Sequence, residues 1–150
     1  MRTSFLFAFS VGVLGVICGG ALAEKLDLPP EGLARVGTHV VVGKVLAIYE
    51  WEETQGDWRT TRYVAEIQAA VCEKGEGIRK GDLVYARYWH REWAGKGDPP
   101  PATFGHRGLP SVGQVLRVYL SRNAYDGFGD TRDGGFNVVG ANGFQPLPRD

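Results

Sequence analysis

The segment His39 to Trp51, HVVVGKVLAIYEW, places the strongest constraint on what this chain can fold into. On the two-residue period of a β-strand, Val40, Val42, Leu46 and Ile48 fall on one side, and Val41, Val45, Ala47 and Tyr49 on the other. A strand that is apolar on both sides is either covered on both or coils sharply, so that each side meets a core along part of its length. Gly43, which carries no side chain, is where it can bend.

The rest of the chain repeats the strand signal between turn residues. Glu52 to Thr60 reads as a polar loop around Gly56, and Thr61 to Cys72 as a strand with Tyr63, Ala65, Ile67, Ala69 and Val71 on one face. Glu73 to Asp82 is a turn of glycines among charges, and Leu83 to Trp89 a third strand. Gln114 to Ser121 is a fourth, with Leu116, Val118 and Leu120 inward. Asp126 to Gly135 is turn-rich. Phe136 to Phe144 supplies a fifth strand, interrupted by Gly140 and Asn142, before a surface tail from Gln145. Ahead of the strands, a polar arm with Pro29-Pro30 leads into a short helical stretch from Glu31 that Gly37 would stop. Between His90 and Gly113 the pattern breaks into a long loop containing Pro99-Pro100-Pro101. Loops of that length in a small domain are uncommon and often functional. Five strands with such spacing predict a mostly β fold, a small OB-type Greek-key barrel over about residues 38–144. An immunoglobulin-like sandwich is the alternative, and it needs about seven strands.

Residues 1–23 read as an export signal. Arg2 precedes an almost unbroken apolar run, Phe5 to Cys18, and Ala21-Leu22-Ala23 offers a cleavage site before Glu24. The run is short of the ~20 residues of a membrane-spanning helix, and no basic stop-transfer cluster follows. Lipid attachment at Cys18 is a further option, although Ile17 stands where a small residue usually precedes a lipidated cysteine. The expected product is periplasmic, cell-surface or secreted, with an arm and helix at 24–37 and one barrel domain at 38–150. Cleavage leaves 150 − 23 = 127 residues, enough for one domain with a hydrophobic core.

Charge and cysteine content narrow the function classes. The chain has 17 basic and 17 acidic residues, and losing Arg2 leaves a formal charge of −1. That balance lacks the basic excess of a general nucleic-acid binder and argues against strong attraction to an anionic membrane. Once Cys18 is gone, Cys72 is alone, so the domain has no internal disulfide and must stand on its core. Cys72 reads either as a small strand residue or as a thiol open to pairing between chains.

The order of features resembles the netrin-like module shared with tissue inhibitors of metalloproteinases. A short helix (Gly32-Leu33-Ala34-Arg35-Val36) runs into HVVVGKV, and a second strand ends in a charged Lys-Gly turn near Gly75. Gly81-Asp82-Leu83-Val84 then opens the next strand, and Gly113 to Leu120 carries the last matching motif. The resemblance covers about two-thirds of the mature chain and implies an OB-type domain with protein-binding relatives. It does not extend to the inhibitors' zinc-chelating N-terminal Cys-x-Cys or to their disulfides, because the mature chain would begin Glu24-Lys25-Leu26.

Chemistry-bearing residues are few. His90 and His106 flank the long loop and, with Glu92, form the candidate metal set of a small metal-dependent hydrolase. Their spacing matches no recognised zinc motif. His90-Arg91-Glu92 mimics the His-x-Glu of zinc deaminases, but no cysteine follows Cys72. There is no Gly-x-Ser-x-Gly elbow. Asp126, Asp130 and Asp133 resemble a calcium loop only in composition, and a strand-connecting turn explains them as well. No cofactor is implied.

Aromatic residues carry the functional expectation. Trp51, Trp58, Trp89 and Trp93 fall near strand ends and loops, with Phe104 in the long loop. Trp58 and Trp93, in stretches read as polar loops, are hard to explain as core. His106 and Arg107, held between Gly105 and Gly108-Leu109-Pro110, make either a recognition tip or a tether in which Arg107 meets a carboxylate. The expected function is a non-enzymatic binding or structural module. Its contact surface combines Trp58, Trp93, Phe104, His106 and Arg107, with Arg91 alongside. An exported or extracellular protein is the favoured partner and a glycan the alternative.

Overall fold

The computed structural model describes residues 26–102, 104–123 and 133–147. The leader expected at 1–23 and the aspartates Asp126 and Asp130 lie outside the described residues. After helix α1 (Pro30–Val36) come β1 (His39–Gln55), β2 (Trp58–Lys74), β3 (Leu83–Trp93), β4 (Val115–Ser121), β5 (Phe136–Val138) and β6 (Phe144–Pro146). Hydrogen bonding runs in the order β1-β2-β3-β5-β4, and β1 pairs again with β4, which closes the ring. β3 and β5 are parallel, and the other pairs in the ring are antiparallel. This is the five-stranded OB-type Greek-key barrel expected from the strand spacing.

β1 makes closure possible because it serves two neighbours, β2 along its length and β4 through His39 to Lys44. It coils through register shifts at Val40/Val41, Val42/Gly43 and Val45/Ala47. At Gly43 a Cβ would lie 2.6 Å from both the Gln68 carbonyl oxygen and Ile67 Cγ2, so β2 leaves no room for a side chain there. The shifts also correct the simple alternation of faces. Val41 and Val45 enter the core and Ile48 packs against it with them, while Leu46 and Tyr49 are exposed. The irregularity after Val45 moves the strand one residue out of phase. On β2, Val71 pairs with Val42 and Ala69 with Gly43, so Ala70 is the extra residue. Beyond it Val71 turns outward and Cys72 packs against the core, its thiol donating to the Lys74 carbonyl at 3.1 Å.

The barrel interior is filled by residues from every strand of the ring, among them Val45, Ile67, Val84, Tyr88, Leu116, Val118, Leu120 and Phe136, with Phe144 from β6. A second cluster lies outside it. Leu33 of α1, wholly buried, packs with Val40, Tyr119 and Val139. Pro30 suits the first turn, where its missing N–H costs nothing. At the other end Lys74 Nζ donates to the Ala34 and Gly37 carbonyls, both at 2.6 Å, meeting acceptors that a helix C-terminus leaves open.

Four sequence expectations are revised, the first being the start of the long loop, because β3 continues through His90 to Trp93, four residues into the stretch expected as a loop. The polar loop at Glu52 to Thr60 is a continuation of the β1–β2 hairpin, closed by a two-residue turn at Gly56-Asp57. The strand expected at Phe136 to Phe144 is two short strands along one edge of β4, separated around Gly140 with φ +67°. The tail at Gln145 and Pro146 belongs to β6 rather than to a surface extension. Among the described residues, no helix is long and apolar enough to cross a membrane.

Candidate functional site

The β1–β2 hairpin runs beyond the closed barrel, and β3 follows it as far as Trp93. Directly paired residues share a face. The register therefore sets Trp51, Arg62 and Trp89 in one row, Glu53, Thr60 and Arg91 in the next, and Gln55, Trp58 and Trp93 in the last. Strand alternation puts these rows on the same face of the ribbon. All 4 tryptophans of the chain thus stand on one side of a three-stranded ribbon, with arginines between them.

Their contacts are specific. Trp58 meets Trp93 edge to face at 5.1 Å between ring centroids, and Phe104 at 5.6 Å. The Arg91 guanidinium lies 4.4 Å from the Trp58 centroid and 6.0 Å from that of Trp89. Such edge-to-face and cation–π contacts add about 0.5–1.5 kcal/mol each beyond area burial. Phe104 is held there by the returning loop. Arg91 N–H donates to the Phe104 carbonyl at 3.0 Å and His106 N–H to the Trp89 carbonyl at 2.8 Å, so the segment lies along β3 like a short extra strand. Gly105, with φ +86°, is required because a Cβ would meet the Trp89 carbonyl oxygen at 2.5 Å.

The opposite face continues the barrel interior outward. Tyr63 stacks on Tyr88 at 4.8 Å, and Tyr88 meets Phe144 edge to face inside the core. Burial pushes the Tyr88 phenol well above its ordinary range, with Tyr63 and Glu50 adding to the effect. Further out lies a groove of about 350 Å³ lined by Glu50, Glu52, Arg59, Thr61, Tyr63 and Glu92, with Trp51 of the outer strand β1 bordering it as well. Arg59 forms a close ion pair with Glu92 and sits 3.6 Å from Glu52. Its hydrogen bond holds the Glu92 carboxyl below the usual carboxylate range.

The structure brings together Trp58, Trp93, Phe104 and Arg91 and separates them from His106 and Arg107. His106 is wholly buried. Its Nε2 lies 3.1 Å from the Val138 carbonyl and its Nδ1 3.1 Å from the Trp89 N–H. The neutral tautomer protonated on Nε2 satisfies both contacts, although the Trp89 carbonyl also lies 3.0 Å from Nδ1. The ring is structural and unavailable as a contact surface. Arg107 forms an ion pair with Asp27 and its N–H donates to the Ala141 carbonyl, so the Gly105–Pro110 loop is tethered.

His90, Glu92 and His106 do not make a ligand set. His90 Nδ1 faces the His106 carbonyl at 3.1 Å, Glu92 is engaged by Arg59, and backbone groups occupy both His106 nitrogens. Among the described residues no group of three or more His, Cys, Asp or Glu is gathered for a metal. Asp133 pairs with Arg87 and accepts the Gly135 N–H.

Trp51, Arg62 and Trp89 belong to the aromatic face, but local polarity hid this by suggesting a loop between the strands. The overlooked signal is Gly56-Asp57, a two-residue hairpin turn of the glycine-first kind, with φ +60° at Gly56. The fold and this face define an OB-type barrel with an elaborated β1–β2–β3 ribbon. No family model, curated protein or solved structure matches the chain.

Proposed function

We propose that the protein is an exported binding module that takes a protein partner on the tryptophan–arginine face of the β1–β2–β3 ribbon. The observation that carries this reading is the set of tryptophans on one face, with Arg91 stacked between Trp58 and Trp89. Trp and Arg are the side chains most enriched among residues that dominate protein–protein binding, and truncating one can cost about 2 kcal/mol or more. Here they sit on paired strands and hold one another in place, so little conformational freedom is left to lose on binding. A glycan would need an open indole face for stacking. On Trp58 Arg91 lies over the ring and Trp93 and Phe104 crowd it, which favours the protein partner.

Affinity capture from the exported fraction tests the reading. Wild type should retain a partner that Trp58→Ala and Trp93→Ala lose, while both variants keep the far-ultraviolet circular dichroism of the barrel. If the folded variants capture the same set as wild type, the face is not the contact surface. Binding on a glycan array with no protein captured would transfer the face to sugars.

A further inference from the structure

Beyond Val45, β1 leaves the barrel with a neighbour on one side only among the described residues. Its pairing with β4 ends at Lys44, and Val45 exchanges backbone hydrogen bonds with Gln114 and Gly113. From Ala47 to Gln55 it pairs only with β2 among the described residues. At ~3.3 Å per residue this leaves about 30 Å of open strand edge. Natural sheets usually blunt such edges with charged side chains, lysine above all, or with proline, a bulge or a covering segment. Between Ala47 and Gln55 this edge carries Glu50, Glu52 and Glu53, and no basic residue or proline.

We infer that this edge takes up an extended, basic segment of a partner protein as an added antiparallel or parallel strand. The inference rests on the protein-partner reading above and moves from the face of the ribbon to its edge. Charge selects the occupant. On the groove side Glu50, Glu52 and Glu92 stand against the single guanidinium of Arg59. Glu50 has no ion-pair partner among the described residues. Basic residues at alternate positions of an added strand would lie beside Glu50 and Glu52, above the 350 Å³ groove. The residues between them would lie beside Tyr49 and Trp51, which are 53% and 48% exposed, and are therefore expected to be apolar.

A second copy of the chain is the wrong occupant. In every antiparallel self-pairing centred from Trp51 to Glu53, a glutamate directly faces a glutamate, and like charges so placed are destabilising. The main chain supplies hydrogen bonds and the alternating side chains supply selectivity, the division of labour in strand addition to a sheet edge.

The test uses the full domain and a capped peptide of alternating valine and lysine, titrated by calorimetry. Two derivatives, N-methylated at alternate backbone nitrogens in opposite phases, keep the charge and remove edge hydrogen bonding. The parent should bind saturably, and at least one N-methylated phase should bind about tenfold or more weakly. Glu50→Lys combined with Glu52→Lys should weaken the lysine peptide by about tenfold and admit its glutamate counterpart. These positions are exposed, and circular dichroism verifies that the variant folds. Equal binding by the parent and both N-methylated peptides would mean simple charge attraction and would overturn the inference, as would no binding at millimolar peptide. Either failure leaves the Trp58 and Trp93 capture result standing, so edge and face are judged separately.

Discussion

Arg91 lays its guanidinium over Trp58, with the carbon 4.4 Å from the indole centroid and Trp89 on its other side at 6.0 Å. This contact joins β2 to β3 well outside the closed barrel, at Thr60↔Arg91 and one row beyond it. It turns separate surface tryptophans into a single ordered patch.

Arg91→Ala removes the cation between the indoles. The expected cost is about 1 kcal/mol of stability, the size of an exposed cation–π contact with its packing. The indole N–H resonances of Trp58 and Trp89 should shift while the barrel core resonances stay in place. Denaturant titration with a heteronuclear correlation spectrum measures both. A spectrum unchanged at Trp58 would contradict the stacking.

His106→Ala should be far more costly, about 2–4 kcal/mol. It leaves a cavity and strips partners from the Trp89 N–H and the Val138 carbonyl. Elemental analysis should give the same metal content for wild type and variant, because neither ring nitrogen points to an open position. Stoichiometric zinc lost with the imidazole would restore the metal-site reading.

Gly43→Ala tests the point where β1 coils. The added methyl would sit 2.6 Å from the Gln68 carbonyl oxygen, a backbone atom with little room to yield. We expect about 2 kcal/mol or more of destabilisation, seen as a lower denaturation midpoint. A variant as stable as wild type would show that β1 and β2 can part there without loss.

A pH dependence follows from Glu73 and Arg117, which form a two-pronged pair at 2.6 and 2.8 Å. The Arg117 hydrogen bond holds the Glu73 carboxyl below its ordinary value of 4.5. A depressed carboxylate adds stability above its unfolded value and loses it as pH falls through the folded value. Both side chains are about one-third exposed, so solvent screening limits the contribution to about 1 kcal/mol or less. Glu73→Gln should therefore melt below wild type at pH 7, and the gap should close in acid below the folded value. A gap that persists there would assign the effect to packing.

Much of the barrel was legible in the sequence because burial on a strand leaves a period-two trace. Leu116, Val118 and Leu120 announced β4, and Ala65, Ile67 and Ala69 the inner face of β2. Where the trace failed, a bulge had shifted its phase, as at Ile48 and Cys72, which reach the core against the simple alternation. The hairpin extension was missed for a related reason. Outside the barrel neither face is fully covered, so Glu52 to Thr60 has the polar composition of a loop while its backbone pairs as a sheet.

By itself the sequence determined that the chain builds a small β-barrel stabilised by its core, and that Trp58 and Trp93 are hard to place in that core. These properties are carried by local composition and short-range periodicity. Only the tertiary structure decided which distant residues meet. Trp58, Trp93 and Phe104 come together because β2, β3 and the loop after it lie side by side, whereas His106 is drawn inward and Arg107 out to Asp27. Pairing register is a long-range property, and a one-residue shift exchanges the faces of a strand.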